Sequence, residues 1–163
     1  MKKNILTVSL FVLITALAFA AAPRRIDFAG EVYVLKGEPQ VAKNYGGMFE
    51  QRNYQTMEEN SISSLQVQAM RGNDVIADND KRADKYLTDC STHQGLSCFI
   101  DSCSQNDVVV GYTQTVNNKT VALVLKRFTP KGFITYEKQL QPDEEFRAPL
   151  ATYRSALCQL DVF

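Results

Sequence analysis

Three of the four cysteines and the only histidine of the chain fall in one short stretch, CSTHQGLSCFIDSC, running from Cys90 to Cys103. Residues of these types can hold a metal, attack a carbonyl or crosslink a fold. Cys90, His93, Cys98 and Cys103 are enough ligands for tetrahedral zinc, but the paired C-x-x-C spacing of structural zinc sites is missing. The same missing spacing argues against a redox-active pair. A Cys–His nucleophile built on His93 would leave an odd number of cysteines to pair. The remaining reading is structural, with Cys90, Cys98, Cys103 and Cys158 forming two disulfides. Three pairings are open: 90–98 with 103–158, 90–103 with 98–158, and 90–158 with 98–103. Each ties Cys158 near the C-terminus to the cluster, so substituting Cys158 is expected to free a thiol there and lower stability. No metal and no cofactor is expected.

Carboxylates are the other source of chemistry, because a single histidine leaves little else for acid–base work. Glu58 and Glu59 are adjacent and diverge on a helix, and Asp143, Glu144 and Glu145 form a loop run. Neither is a recognisable hydrolytic pair. Asp78 and Asp80 lack the central glycine and terminal glutamate of a calcium loop. The sequence has no G-x-S-x-G elbow, no phosphate-binding G-K-[ST] loop and no H-E-x-x-H. These absences point to recognition rather than catalysis. Tyr45, Phe49, Arg52 and Tyr54 around Gly46-Gly47 are candidate interface anchors, since aromatic and arginine side chains dominate binding hot spots. Tyr112 and Tyr136 extend the set. The loop Asp143, Glu144, Glu145, Phe146 and Arg147 is a second candidate, an acidic turn with an apolar tip suited to a cationic cleft.

The ends of the chain bear on where these residues work. Lys2 and Lys3, the apolar run Ile5 to Phe19 and the small-x-small pattern Ala18-Phe19-Ala20 predict a cleaved signal over residues 1–20. The apolar run is shorter than a membrane-spanning helix requires. The exported domain is then 21–163, with no membrane span, in the periplasm or secreted, and the short basic start has a bacterial look. Eighteen basic residues balance 18 acidic ones, and loss of Lys2 and Lys3 leaves the exported form slightly acidic. A nucleic-acid partner calls for a basic excess instead. Asn118-Lys119-Thr120 matches a glycosylation acceptor, relevant only in a eukaryotic secretory route.

The positioning elements are clearest after Asn106. Asp107–Val116, Lys119–Phe128 and Phe133–Leu140 read as three strands separated by Asn117-Asn118 and by the TPKG turn at Thr129 to Gly132, an antiparallel meander. The nearly all-apolar Val121 to Leu125 implies cover on both faces of the middle strand. Ile26 to Leu35 reads as one extended element with Phe28, Val32 and Val34 on a common face and a bulge or close approach at Gly30. Met57 to Met70 reads as a helix, with Thr56 and Glu59 as a capping box, although Leu65, Val67 and Ala69 also alternate as a strand would. Asp80 caps a short helix carrying Ala83 and Leu87. The segment from Ala151 to Phe163 suits a helix or a strand equally, with Leu157, Leu160 and Phe163 docking on the body.

The expected fold is α+β, a C-terminal antiparallel β-meander packed against one or two helices and stapled by disulfides, in a sheet of four or five strands. A β-sandwich is the alternative if Met57 to Met70 is extended. The expected function is that of a periplasmic or secreted protein-binding domain, an accessory or assembly factor of a bacterial envelope system whose partner is another exported or envelope protein. An inhibitor or immunity protein neutralising a hydrolase or toxin is the first alternative. A small envelope hydrolase using carboxylates is the second.

Overall fold

The computed structural model describes residues 22–44, 47–57, 62–72, 75–141 and 143–163. The signal expected over residues 1–20, together with Tyr45, Glu58 and Glu59, lies outside them. Among the described residues nine strands form one antiparallel sheet: β1 (Arg25–Phe28), β2 (Glu31–Leu35), β3 (Gln40–Asn44), β4 (Gly47–Thr56), β5 (Ile62–Met70), β6 (Leu96–Ser104), β7 (Asp107–Val116), β8 (Lys119–Thr129) and β9 (Gly132–Gln139). Their order is β1-β2-β4-β5-β9-β8-β7-β6, with β3 paired to β4. The two helices of the described residues, α1 (Asn79–Ser91) and α2 (Leu150–Gln159), pack on opposite faces of this sheet. The α+β expectation holds, with the meander as read and the sheet about twice as wide as expected.

The meander turns are local chemistry. Asn117 and Asn118 both take positive φ, at 50° and 64°, the backbone a two-residue hairpin turn needs and asparagine tolerates. The turn sets Val116 opposite Lys119. The N-terminal hairpin uses the same device at Ala29 and Gly30, with φ of 50° and 81°. Ile26 to Leu35 is therefore two strands with a turn where a bulge was expected, and Phe28 sits opposite Glu31. Crossing that turn changes the inward parity. The buried set is Ile26, Phe28, Glu31 and Tyr33, while Val32 and Val34 are half-exposed.

The helix expected over Met57 to Met70 is instead strand β5 from Ile62. It lies between β4 and β9, pairing Leu65 with Tyr54 and Tyr136 and Val67 with Arg52 and Ile134. Backbone pairing on both sides and burial of Leu65 and Val67 outweigh the helix preference of its Gln-rich outer positions. The C-terminal segment resolves to the helix α2. The cap of α1 is Asp78, not Asp80, and its side chain makes no cap bond. Asn106 in the β6–β7 turn supplies one instead. Its Oδ1 accepts from the Asn79 backbone N–H at 3.1 Å, while its carbonyl and Nδ2 bind Asn79 and Ile76.

Each face of the sheet has its own core. On the first face, Ile26, Phe28, Tyr33, Tyr54, Leu65, Leu123, Leu125 and Tyr136 pack against Tyr153 and Leu157 of α2, with Leu160 and Phe163 against the same body. The carbonyls of Leu157 and Leu160 at the end of α2 receive the Arg127 guanidinium at 2.8 and 2.7 Å, and Asp107 grips the same guanidinium twice. A cation at the negative end of a helix dipole is favourable. On the second face, Phe49, Val108, Val110, Phe128 and Phe133 pack beneath Ile76 and Ala83, with Tyr86 and Leu87 of α1 at the margin. The expectation that both faces of β8 are covered holds only in part: Leu123 and Leu125 are buried, whereas Ala122 and Val124 are half-exposed.

Candidate functional site

The disulfides are Cys90–Cys98 and Cys103–Cys158, and no free cysteine remains among the described residues. One joins the end of α1 to β6. The other joins β6 to α2, so Cys158 is tied to Cys103. With all four sulfurs in S–S bonds, none is available to a metal or as a nucleophile. Two such pairs are consistent with an oxidising, extracellular compartment. His93 is exposed, with its Nδ1 2.9 Å from the Asp89 carbonyl. Among the described residues no helix is long and apolar enough to cross a membrane, and no three His, Cys, Asp or Glu side chains converge on a metal position.

The residues expected to meet a partner are mostly interior. Phe49 and Tyr54 have no exposed surface. Phe49 packs on Phe133 at a ring separation of 5.4 Å. Arg52 is buried, donating to Glu50 at 2.7 Å and to the Val162 carbonyl at 2.9 Å, which holds the C-terminal tail to the sheet. These three are core and tether residues, because the register of β4 turns Arg52 and Tyr54 toward α2 and Phe49 toward the second core. In the acidic loop, Asp143, Glu145 and Arg147 are exposed. Phe146 is no protruding tip, since its ring lies edge-on to Tyr153 at 5.8 Å. Glu144 turns inward, 3.7 Å from the Lys138 ammonium.

Lys138 belongs to a buried polar network that the sequence reading missed. Its ammonium meets Glu31 at 2.5 Å, with both side chains 1% exposed or less. Tyr33 donates to the other Glu31 oxygen at 2.6 Å and shares a 2.5 Å contact with the Ser63 hydroxyl. Phe28, Tyr136 and Tyr153 surround it, with Tyr136 and Tyr153 stacked at 5.7 Å. Burial, foremost, pushes the Tyr33, Tyr54, Tyr136 and Tyr153 hydroxyls up from their ordinary value of 10.0. Such a network costs desolvation and returns it only if every charge is paired. It joins the β1–β2 hairpin to β9, and its enclosure leaves no room for a substrate.

The accessible feature is on the opposite face, where α1 covers only the β6–β8 side. Beside the helix an open groove of about 710 Å³ crosses the strands, lined by Gln55, Ser64, Tyr112, Gln114, Glu137 and Gln139 among others, with Ile62, Ala122 and Val124 supplying its apolar area. The register explains the composition. Gln55 opposes Ser64, Ser64 opposes Glu137, Glu137 opposes Val124 and Val124 opposes Tyr112, so one row of side chains crosses five strands. In the neighbouring rows Gln68 donates to Gln51 at 3.1 Å, and Gln66 donates to Asn53 at 3.0 Å, forming a linked amide ladder. Burial pushes the Tyr86 hydroxyl of α1 up to about 12, with repulsion from Tyr112 and Glu137 adding to it. Glu137 is the single carboxylate lining the groove among the described residues.

Of the residues singled out from sequence, Tyr112 lines this groove. The amides were missed, although their spacing was a signal: Gln51, Asn53 and Gln55, then Ser64, Gln66 and Gln68, alternate with the buried residues at the period of a strand. No known protein family, characterised protein or solved structure matches this chain.

Proposed function

We propose that this chain is a non-catalytic binding domain that works in the periplasm or outside a bacterial cell, exported by the signal at residues 1–20, and that it holds an envelope component in the amide-lined groove. The observation that carries this reading is the half-uncovered second face: a mostly polar row five strands wide, left open where α1 covers only the β6–β8 side. Glu137 is the one carboxylate in its lining among the described residues, which supports binding over hydrolysis, since glycosidic cleavage by carboxylates uses a pair. The inward turn of Phe146 and Glu144 weakens the inhibitor reading that rested on their loop.

Co-sedimentation of the oxidised protein with washed bacterial envelopes tests the proposal, with Gln55→Ala and Tyr112→Ala as groove variants. The wild-type protein is expected in the pellet and both variants largely in the supernatant. Wild-type protein that stays in the supernatant overturns the reading, as do variants that pellet like wild type.

A further inference from the structure

We propose that the groove is a glycan site, taking a short neutral oligosaccharide laid across β4, β5, β9, β8 and β7; this rests on the groove being the binding site. The argument begins with its donors and acceptors. Gln55, Gln114 and Gln139 are exposed at the groove, and each side-chain amide offers both donors and an acceptor. Sugar hydroxyls likewise donate and accept, so every hydroxyl finds a match in either sense. Anionic ligands are disfavoured because, among the described residues, the charged side chain facing the groove is the Glu137 carboxylate; the side chain of Lys138, also a lining residue, lies on the first face and is bound to Glu31. Lipid chains or apolar peptides would find only the scattered Ile62, Ala122 and Val124.

Tyr112 completes the chemistry. A pyranose ring presents a face of C–H groups, and an aromatic ring at a groove margin offers the flat apolar surface on which that face packs. Gln55 and Tyr112 stand at the two ends of the five-strand row. Four interstrand steps make that row about 19 Å long, room for a chain of sugars rather than one. The ladder of Gln51, Asn53, Gln66 and Gln68 lies in the rows beside the groove, outside its lining.

The test is an NMR titration of the isotope-labelled, oxidised protein with cellohexaose, maltohexaose and chitohexaose, and with hexagalacturonate as the charged counterpart. At least one neutral hexasaccharide is expected to saturate, with shifts concentrated at Gln55, Ser64, Tyr112 and Gln139. Tyr112→Ala should weaken it about ten-fold through the lost ring contact. Gln55→Ala, at an exposed position, should weaken it measurably without disturbing the rest of the spectrum. The assignment is overturned if no neutral hexasaccharide moves these resonances at millimolar concentration, or if hexagalacturonate alone does. Groove-dependent envelope retention without saccharide binding would make the groove a protein-docking surface, sinking the glycan assignment while leaving the binding reading intact. Loss of both would sink the two together.

Discussion

Five of the seven tyrosines have hydroxyls held above their ordinary value, four of them on side chains with no exposed surface. This makes high pH a sharp denaturant. A phenol whose folded value lies above its unfolded one holds an extra proton in the fold. Its stabilisation is complete below pH 10 and is lost as pH rises beyond it. Each such group removes about 1.4 kcal/mol per pH unit while the fold keeps it protonated. Tyr33 and Tyr136, pushed furthest, together remove about 5 kcal/mol by pH 12. Tyr54, Tyr153 and Tyr86 add to this until pH reaches their own raised values. Set against a total of about 5–15 kcal/mol, the loss places cooperative unfolding between about pH 11 and 12. Tyrosinate absorbance and far-ultraviolet circular dichroism, followed together, should show a single shared transition in which most tyrosinate appears at once. Tyr136→Phe should flatten the pH dependence of stability by about 1.4 kcal/mol per unit in that range. Tyrosinate that accumulates gradually while the dichroism stays native would refute the reasoning.

Three further perturbations have definite outcomes. Lys138→Met strands the buried Glu31 carboxylate and should cost about 3–5 kcal/mol in urea melts, whereas Glu31→Gln with Lys138→Met should recover most of that loss. The two disulfides should differ in weight: Cys158→Ala opens a loop of 55 residues and should cost about 4 kcal/mol, Cys90→Ala opens one of 8 and should cost about 2.5 kcal/mol, and thiol titration of the Cys158 variant should find Cys103 as its one reactive thiol. Gly111→Ala sets a methyl against the Val124 carbonyl and the Phe99 and Leu125 side chains, prising β7 from β8, and should lower stability by about 1–3 kcal/mol; an unchanged melt would mean that this close approach relaxes freely.

The meander was legible because its signals are local. Asn117-Asn118 and the Thr129–Gly132 turn punctuate three β-rich runs, and sequential strands with short turns pair with each other. The remainder depended on partners distant in sequence. Ala29 carries no mark of a left-handed turn, and a single misplaced turn reversed which of Val32 and Tyr33 faces inward. Strand β5 has glutamines that suit a helix, and only β4 and β9 on either side decide against it. Glu31 and Lys138 carry no local mark of burial; they are interior because they meet across 107 residues. Arg52 and Tyr54 were read as interface anchors for the same reason, since aromatic and arginine side chains serve a core edge as well as a contact surface. The groove was half legible: the alternating amides were visible, but whether the opposite face carried a core depended on β4 and β5 being strands.

The two faces of the sheet divide the work unequally, and the crosslinks follow that division. The first face is closed by α2, the β1–β2 hairpin and the C-terminal tail, and is held by the long-range Cys103–Cys158 bond, the Arg127 clamp and the Glu31–Lys138 pair. All three link segments far apart in sequence, so they act on global stability. On the second face α1 is fixed at both ends, by Asn106 at its start and by Cys90–Cys98 at its finish, although a helix of 13 residues with a mostly polar exterior buries few side chains of its own. Two anchors on so lightly packed a helix make sense if its position matters more than its contribution to the core. A helix free to slide across the sheet would close over Tyr112 and Glu137; pinned at Asn106 and Cys98, it stays over β6–β8 and leaves the row open.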